Sequence, residues 1–139
     1  MNILVIDGQG GNIGRQLVKM IREALPGAQI TAVGTNSIAT SSMLKAGADS
    51  AATGENAVLV ACRRADAILG PIGIVLADAL LGEVTPAMAA AVGASDAVRI
   101  LIPLERCGTL VAGVRELSTA ALLEDAVAKL LSLAGTADS

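Results

Sequence analysis

The 139-residue chain contains no histidine, tyrosine, phenylalanine or tryptophan. Without histidine there is no imidazole to act as a base or ligate a metal, and without tyrosine there is no phenolic acid. Any catalysis therefore falls to Asp, Glu, Lys, Cys, Ser, Thr or Arg. The missing aromatics leave no platform for stacking single-stranded bases. A net charge of −3 supplies no basic footprint, so no nucleic-acid partner is expected. Cysteine is scarce as well: Cys62 and Cys107 lack CxxC spacing and are too few for a disulfide scaffold, so reduced thiols are expected. Cys62 falls on an apolar helix face; Cys107 stands beside Arg106, which could lower its pKa, but a lone cysteine without a base is more often inert. Long apolar runs are also lacking. The longest, Ala67 to Ala77, is broken by Gly and Pro and followed by Asp78, too short to span a bilayer. Asn2 and Asp7 stand where a signal peptide needs basic and then apolar residues. The expectation is a cytoplasmic protein with no membrane partner.

What is present is aliphatic. Apolar residues make up 53% of the chain and charged residues only 17%, which excludes disorder. A core of Val, Ile, Leu, Ala and Met suits helices packed closely on a parallel sheet. The length predicts one domain over residues 1–134, followed by a frayed tail over 135–139.

The chain is organised around its first turn. Ile3 to Ile6 are four consecutive apolar residues, the mark of a strand buried on both faces. Gly8, Gly10, Gly11 and Gly14 follow within seven residues and permit a tight turn. Ile13, Leu17, Val18, Ile21 and Leu25 then recur at helical spacing, with Arg15, Lys19, Arg22 and Glu23 on the other face. Strand, glycine turn and helix together can hold phosphate on free backbone N–H groups at a helix N-terminus.

Further along, the pattern predicts strands over 29–33, 66–69, 98–103 and 109–114, with 48–54 a loop or very short strand. Helices are expected over 38–46, from a Thr53 cap through Cys62 to Arg64, over about 74–81, from a Thr85 cap with Pro86 at the first position, and after a Ser118 cap. The fold class is α/β: a Rossmann-like three-layer sandwich of about five mostly parallel strands with helices on both faces. Ligands in such folds lie beyond the C-terminal strand ends, here Asp7–Gly14, Gly34–Ser37, Gly70–Gly73 and Pro103–Gly108.

The candidate binding residues are Gly8, Gln9, Gly10, Gly11, Asn12, Ile13, Thr35, Asn36, Gly70, Pro71 and Ile72. Asp7 can take a ribose hydroxyl, hold Mg²⁺ through water or act as a base; equally, it can bond the loop's own N–H groups and fix the turn. Glu55, at a helix start, is the second carboxylate candidate. Two glycines bracketing Pro71 require backbone to pass close to a ligand or a neighbouring loop. No metal-ligand cluster stands out. The helix Ala87-Met88-Ala89-Ala90-Ala91-Val92, in a chain without aromatics, points to a face packed against another subunit, and so to a homo-oligomer, although the same alanines could pack inside the monomer.

Gly8, Gly11 and Gly14 match G-x-x-G-x-x-G, which resembles the cofactor loop of extended short-chain dehydrogenases over about seventeen residues. That resemblance implies NAD(P) or another nucleotide. Against it, the Tyr-x-x-x-Lys pair of those enzymes cannot exist here, and Gly34-Thr35-Asn36 lacks the acid that holds a ribose 2′-OH. A Walker A loop is absent, because Gly14-Arg15 stands in place of Gly-Lys-Ser/Thr.

A second resemblance covers nearly the whole chain. It is carried by Ile-Asp-Gly-Gln-Gly-Gly-x-Ile-Gly (6–14), Gly-Thr-Asn-x-Ile-Ala-Thr (34–40), Lys-Ala-Gly-Ala (45–48), Thr-Gly-Glu-Asn-Ala (53–57), Gly-Pro-Ile-Gly-Ile (70–74), Gly-Glu-x-Thr-Pro (82–86) and Ile-Pro-Leu-x-Arg-Cys (102–107). Together they resemble a family of small bacterial proteins known as a domain of unknown function, which implies a fold and no activity. The leading expectation is binding of a nucleotide or other phosphorylated small molecule. An enzyme using Asp7 or Glu55 on a phospho-compound is one alternative. An assembly protein whose glycines serve packing only is the other.

Overall fold

The computed structural model describes residues 1–104 and 108–137. Its centre is β1 (Asn2–Asp7), buried from Ile3 onward as its unbroken apolar run requires. On one side β1 pairs in parallel with β2 (Gln29–Gly34), Asn2 opposite Gln29 and Asp7 opposite Gly34. On the other it pairs with β4 (Ala67–Pro71), Ile3 opposite Ala67. β3 (Ser50–Thr53) and β5 (Val98–Ile102) complete a five-stranded, all-parallel sheet in the order β3-β2-β1-β4-β5. Right-handed crossovers between parallel strands then dictate where the helices go. α1 (Asn12–Ala24), α2 (Ser37–Lys45) and α5 (Thr119–Ala137) cover one face. There Leu17, Ile21, Met43 and Leu123 pack on Ile3, Val5 and Ile30. α3 (Glu55–Cys62) and α4 (Pro86–Ala94) cover the other, where Val58, Met88 and Val92 meet Leu4, Ile6 and Ile68. This is the expected Rossmann-like three-layer sandwich.

Four local expectations differ. The fifth strand is Ser50–Thr53, not 109–114. The short Ser-Ala-Ala-Thr segment gains its ladder from β2, whereas Leu110 is 83% exposed and Gly108 and Gly113 take positive φ. The apolar run 74–81 is not a helix. A single 3₁₀ turn, Ile72–Val75, gives way to an extended Leu76 and then to Asp78, Leu80, Leu81 and Gly82, all with φ between 57° and 88°. The hydrogen bond from Asp78 N–H to Val84 C=O, 2.7 Å, closes this loop. α3 is capped by Gly54, at φ 101°, because Thr53 is spent on the end of β3. Finally, α5 carries the helix past Gly135 to Ala137, where a frayed tail was expected; Asp138 and Ser139 lie outside the described residues.

Capping follows the sequence at Thr85 and Ser118, and Asn36 caps α2 as well. Asn36 accepts from Ala39 N–H at 2.9 Å, Thr85 from Met88 N–H at 3.1 Å and Ser118 from Ala121 N–H at 3.1 Å, each satisfying one of the orphan donors of a helix start. No helix among the described residues is long and apolar enough to cross a membrane.

Candidate functional site

Strand order reverses between β1 and β4, the point where open α/β sheets leave a crevice beyond the strand ends. A cavity of about 190 Å³ occupies that place, lined by Asp7, Gly8, Gln9, Gly10, Gly11, Asn12, Ile13, Pro71, Leu80, Leu104 and Thr119. Two helix starts meet here, since α1 begins at Asn12 and α5 at Thr119. The partial positive charge of each helix N-terminus therefore acts on one small volume.

The turn itself is held by two carboxylates. Asp7 is only 4% exposed, and both of its oxygens are engaged. Oδ1 accepts from Gly8 N–H at 2.8 Å and Oδ2 from Gly14 N–H at 2.7 Å. Asp7 thereby does for α1 what a side-chain cap would do, because Gly11 has none to offer. Burial pushes the Asp7 carboxyl above its ordinary value, against the amides of Gly14 and Gly8, which pull it down.

The second carboxylate is Glu83, absent from the residues expected from sequence. Its Oε1 accepts from Gln9 N–H at 2.9 Å, the Thr35 hydroxyl at 2.7 Å and the Asn36 amide at 2.7 Å. Asn36 also donates to Gln9 C=O at 2.9 Å. Gln9 is thus clamped from both sides in a left-handed conformation, φ 50°, that non-glycine residues adopt uncommonly. Desolvation raises Glu83, but the bonds from Thr35, Gln9 and Asn36 outweigh it and hold the carboxyl below its ordinary value. Glu83 is the only charged residue between Asp78 and Asp96. That isolation, with its place in the Gly-Glu-x-Thr-Pro run, is the signal that could have found it.

The glycines divide by role. A Cβ on Gly8 would lie 2.4 Å from the Thr35 hydroxyl. On Gly11, at φ 73°, it would lie 2.8 Å from the Ala39 backbone, and on Gly14, 2.5 Å from the Met43 sulfur. All three glycines of the G-x-x-G-x-x-G spacing are therefore close-packing positions. Gly10, between them, faces open space. Among the described residues, the amides of Gly10 and Asn12 donate to no protein acceptor, while those of Gly8, Gln9, Gly11 and Gly14 do.

The remaining candidates are spread out. Thr35 and Asn36 stand behind the loop in the Glu83 knot rather than on the cavity wall. Of the Gly70–Ile72 run only Pro71 lines the cavity. Gly70 sits where a Cβ would come 2.3 Å from Ile6 C=O, so what its backbone passes so closely is β1. Glu55 does not line the cavity and accepts from the Thr85 hydroxyl at 2.6 Å, tying α3 to the start of α4. Cys107 and Arg106 lie outside the described residues, and Cys62 is buried. No group of three acidic or Cys side chains gathers for a metal among the described residues. A larger groove of about 610 Å³ runs between β5 and α5, but it is mainly apolar and none of the candidates lines it.

Fold and crevice together define a Rossmann-like α/β domain with a glycine turn at its topological switch point. The chain belongs to the family described as a domain of unknown function (DUF3842), whose model matches residues 2–135. No curated protein matches it. Among solved structures, a dodecameric FMN-dependent UbiX-like decarboxylase from Escherichia coli O157:H7 is similar at 15% identity. That alignment covers 97% of this chain and 94% of the other, with a TM-score of 0.48. A likeness of that degree bears on neither ligand nor assembly.

Proposed function

We propose that this protein binds a small phosphorylated molecule, with the phosphate in the cavity between the starts of α1 and α5. The observation that carries the reading is the pair of unpartnered amides, Gly10 and Asn12, on the wall of a cavity flanked by two helix N-termini. Backbone N–H groups at a helix start are ready-made phosphate ligands. At about 190 Å³ the cavity is smaller than the roughly 300–1,000 Å³ of sites that enclose a drug-sized ligand. It suits a phosphate group, and the rest of a nucleotide would extend outward over the exposed Gln9 and Asn12. A Mg²⁺ ion, if used, would arrive with the phosphates.

The binding reading is favoured over an enzymatic one because the two candidate bases are occupied. Both Asp7 oxygens are taken by the loop, and Glu55 is held by Thr85. A packing-only role accounts for Gly8, Gly11 and Gly14 but leaves Gly10 unexplained.

Gly10 therefore provides the test. A side chain there meets no atom within 4 Å, so Gly10→Asp adds a carboxylate to the loop without disturbing the fold. Gly11→Asp would instead break the packing on α2. Dye-monitored melting against NAD, NADP, ATP, GTP, AMP, sugar phosphates and inorganic phosphate, with and without Mg²⁺, should yield one clear stabilisation. At about 100 times its dissociation constant a ligand adds about 2.7 kcal/mol, or several degrees. The shift should vanish in Gly10→Asp while the unliganded midpoint stays put. No shift across the panel, or one that survives the substitution, would refute the proposal.

A further inference from the structure

We infer that the groove between α3 and α4 is a twofold interface with a second copy of this chain. A groove of about 390 Å³ separates the C-terminal halves of these helices, walled by Leu59, Cys62, Ala91 and Ala94, with Arg63 and Asp96 on its rim. Among the described residues neither Arg63 nor Asp96 makes a side-chain hydrogen bond or ion pair, although both border the same groove. A patch of mixed polar and apolar lining that carries one free cation and one free anion is self-complementary. A twofold axis through it brings Arg63 of each copy to Asp96 of the other, so two ion pairs form from one patch.

The outer surface of α4 fits that occupant. Met88, Ala89 and Val92 face the core; on the helical wheel Ala87, Ala90 and Ala94 fall opposite them and are exposed, with Ala91 half-buried on the flank. A solvent-facing helix ordinarily places charge there, yet Pro86–Ala94 contains none. Side chains this small permit the short interaxial distance of closely packed helices. Ala65 and Ala97, which precede β4 and β5, place the groove at the N-terminal edge of the sheet. The glycine-turn cavity lies at the opposite edge and stays open in the dimer, so this interface stands apart from the ligand reading.

Light scattering and sedimentation equilibrium on the full chain test the interface, with four variants. The wild type should be dimeric at micromolar concentration. Ala90→Glu, at an exposed position tolerant of a good helix former, should weaken the dimer by about 100-fold or more while leaving the far-UV spectrum unchanged. Arg63→Glu and Asp96→Arg should each weaken it by at least about tenfold, and the double variant should recover most of the loss. A monomeric wild type, a dimer indifferent to Ala90→Glu, or charge reversals that do not rescue each other would each overturn the assignment.

Discussion

Asp7 and Glu83 are two carboxylates on one turn, pushed in opposite directions by their surroundings. Asp7 is buried, and its carboxyl is raised above the ordinary value of 3.8. The folded protein then keeps this proton over a range where the unfolded chain has lost it. Stability from this group is greatest below pH 3.8 and declines as pH rises through the folded value. Glu83 accepts three hydrogen bonds and is held below 4.5, so its stabilisation is present above pH 4.5 and is lost as pH falls through the lower folded value. Thermal midpoints measured by far-UV circular dichroism across this range should separate the two. Asp7→Asn should remove the decline on the rising side, along with a constant loss, since one amide oxygen cannot serve both Gly8 and Gly14. Glu83→Gln should remove the acid-side loss while its amide oxygen still accepts from Gln9, Thr35 and Asn36. If the pH profiles of both variants parallel the wild type, neither carboxylate titrates as the geometry requires.

At the scale of elements, the glycine turn is a joint between β1, α1 and α2 as much as a loop. Gly14 lets α1 pass beside Asp7 and Met43, so a methyl there must move a helix. Gly14→Ala should cost about 1–3 kcal/mol, whereas Gly10→Ala should stay within about 0.5 kcal/mol. Urea unfolding with unchanged slope measures both, and equal effects would deny the division of roles among the glycines. Much of this joint was legible in the sequence. The apolar run of β1, the glycine cluster and the periodic face of α1 are local signals, and so are the caps Thr85 and Ser118. The illegible parts depend on partners distant in the chain. Ser50–Thr53 has almost no strand character of its own and becomes a strand because β2 offers it a ladder. The run 74–81 has helix-compatible residues, but its turns are closed by Val84 and anchored by Glu83. Glu83 in turn reaches residues some 47 to 74 positions away. No periodicity within a window could place that contact, and so Glu83, Leu80 and Thr119 went unseen while Asp7 and Gly8–Ile13 did not.

For the molecule as a whole, an aliphatic core without aromatics leaves few natural reporters of unfolding. Cys62 supplies one. It is 5% exposed at the C-terminal end of α3, and burial pushes its thiol upward from the ordinary 9.0, so it should be inert in the folded state. In a Cys107→Ser background, a thiol-reactive dye should label Cys62 only as fast as the structure opens, and completely in denaturant. Immediate labelling of the native protein would show that the α3 layer is looser than its packing implies. The central position of β1 has a further consequence, for synthesis. β1 leaves the ribosome before the other four strands of its sheet, and one of its two neighbours, β2, follows after a single helix. The other, beginning at Ala67 opposite Ile3, arrives about 64 residues later, roughly 3–13 s at ordinary elongation rates. For that interval the central strand of the sheet, with its four consecutive apolar residues Ile3 to Ile6, has one open side.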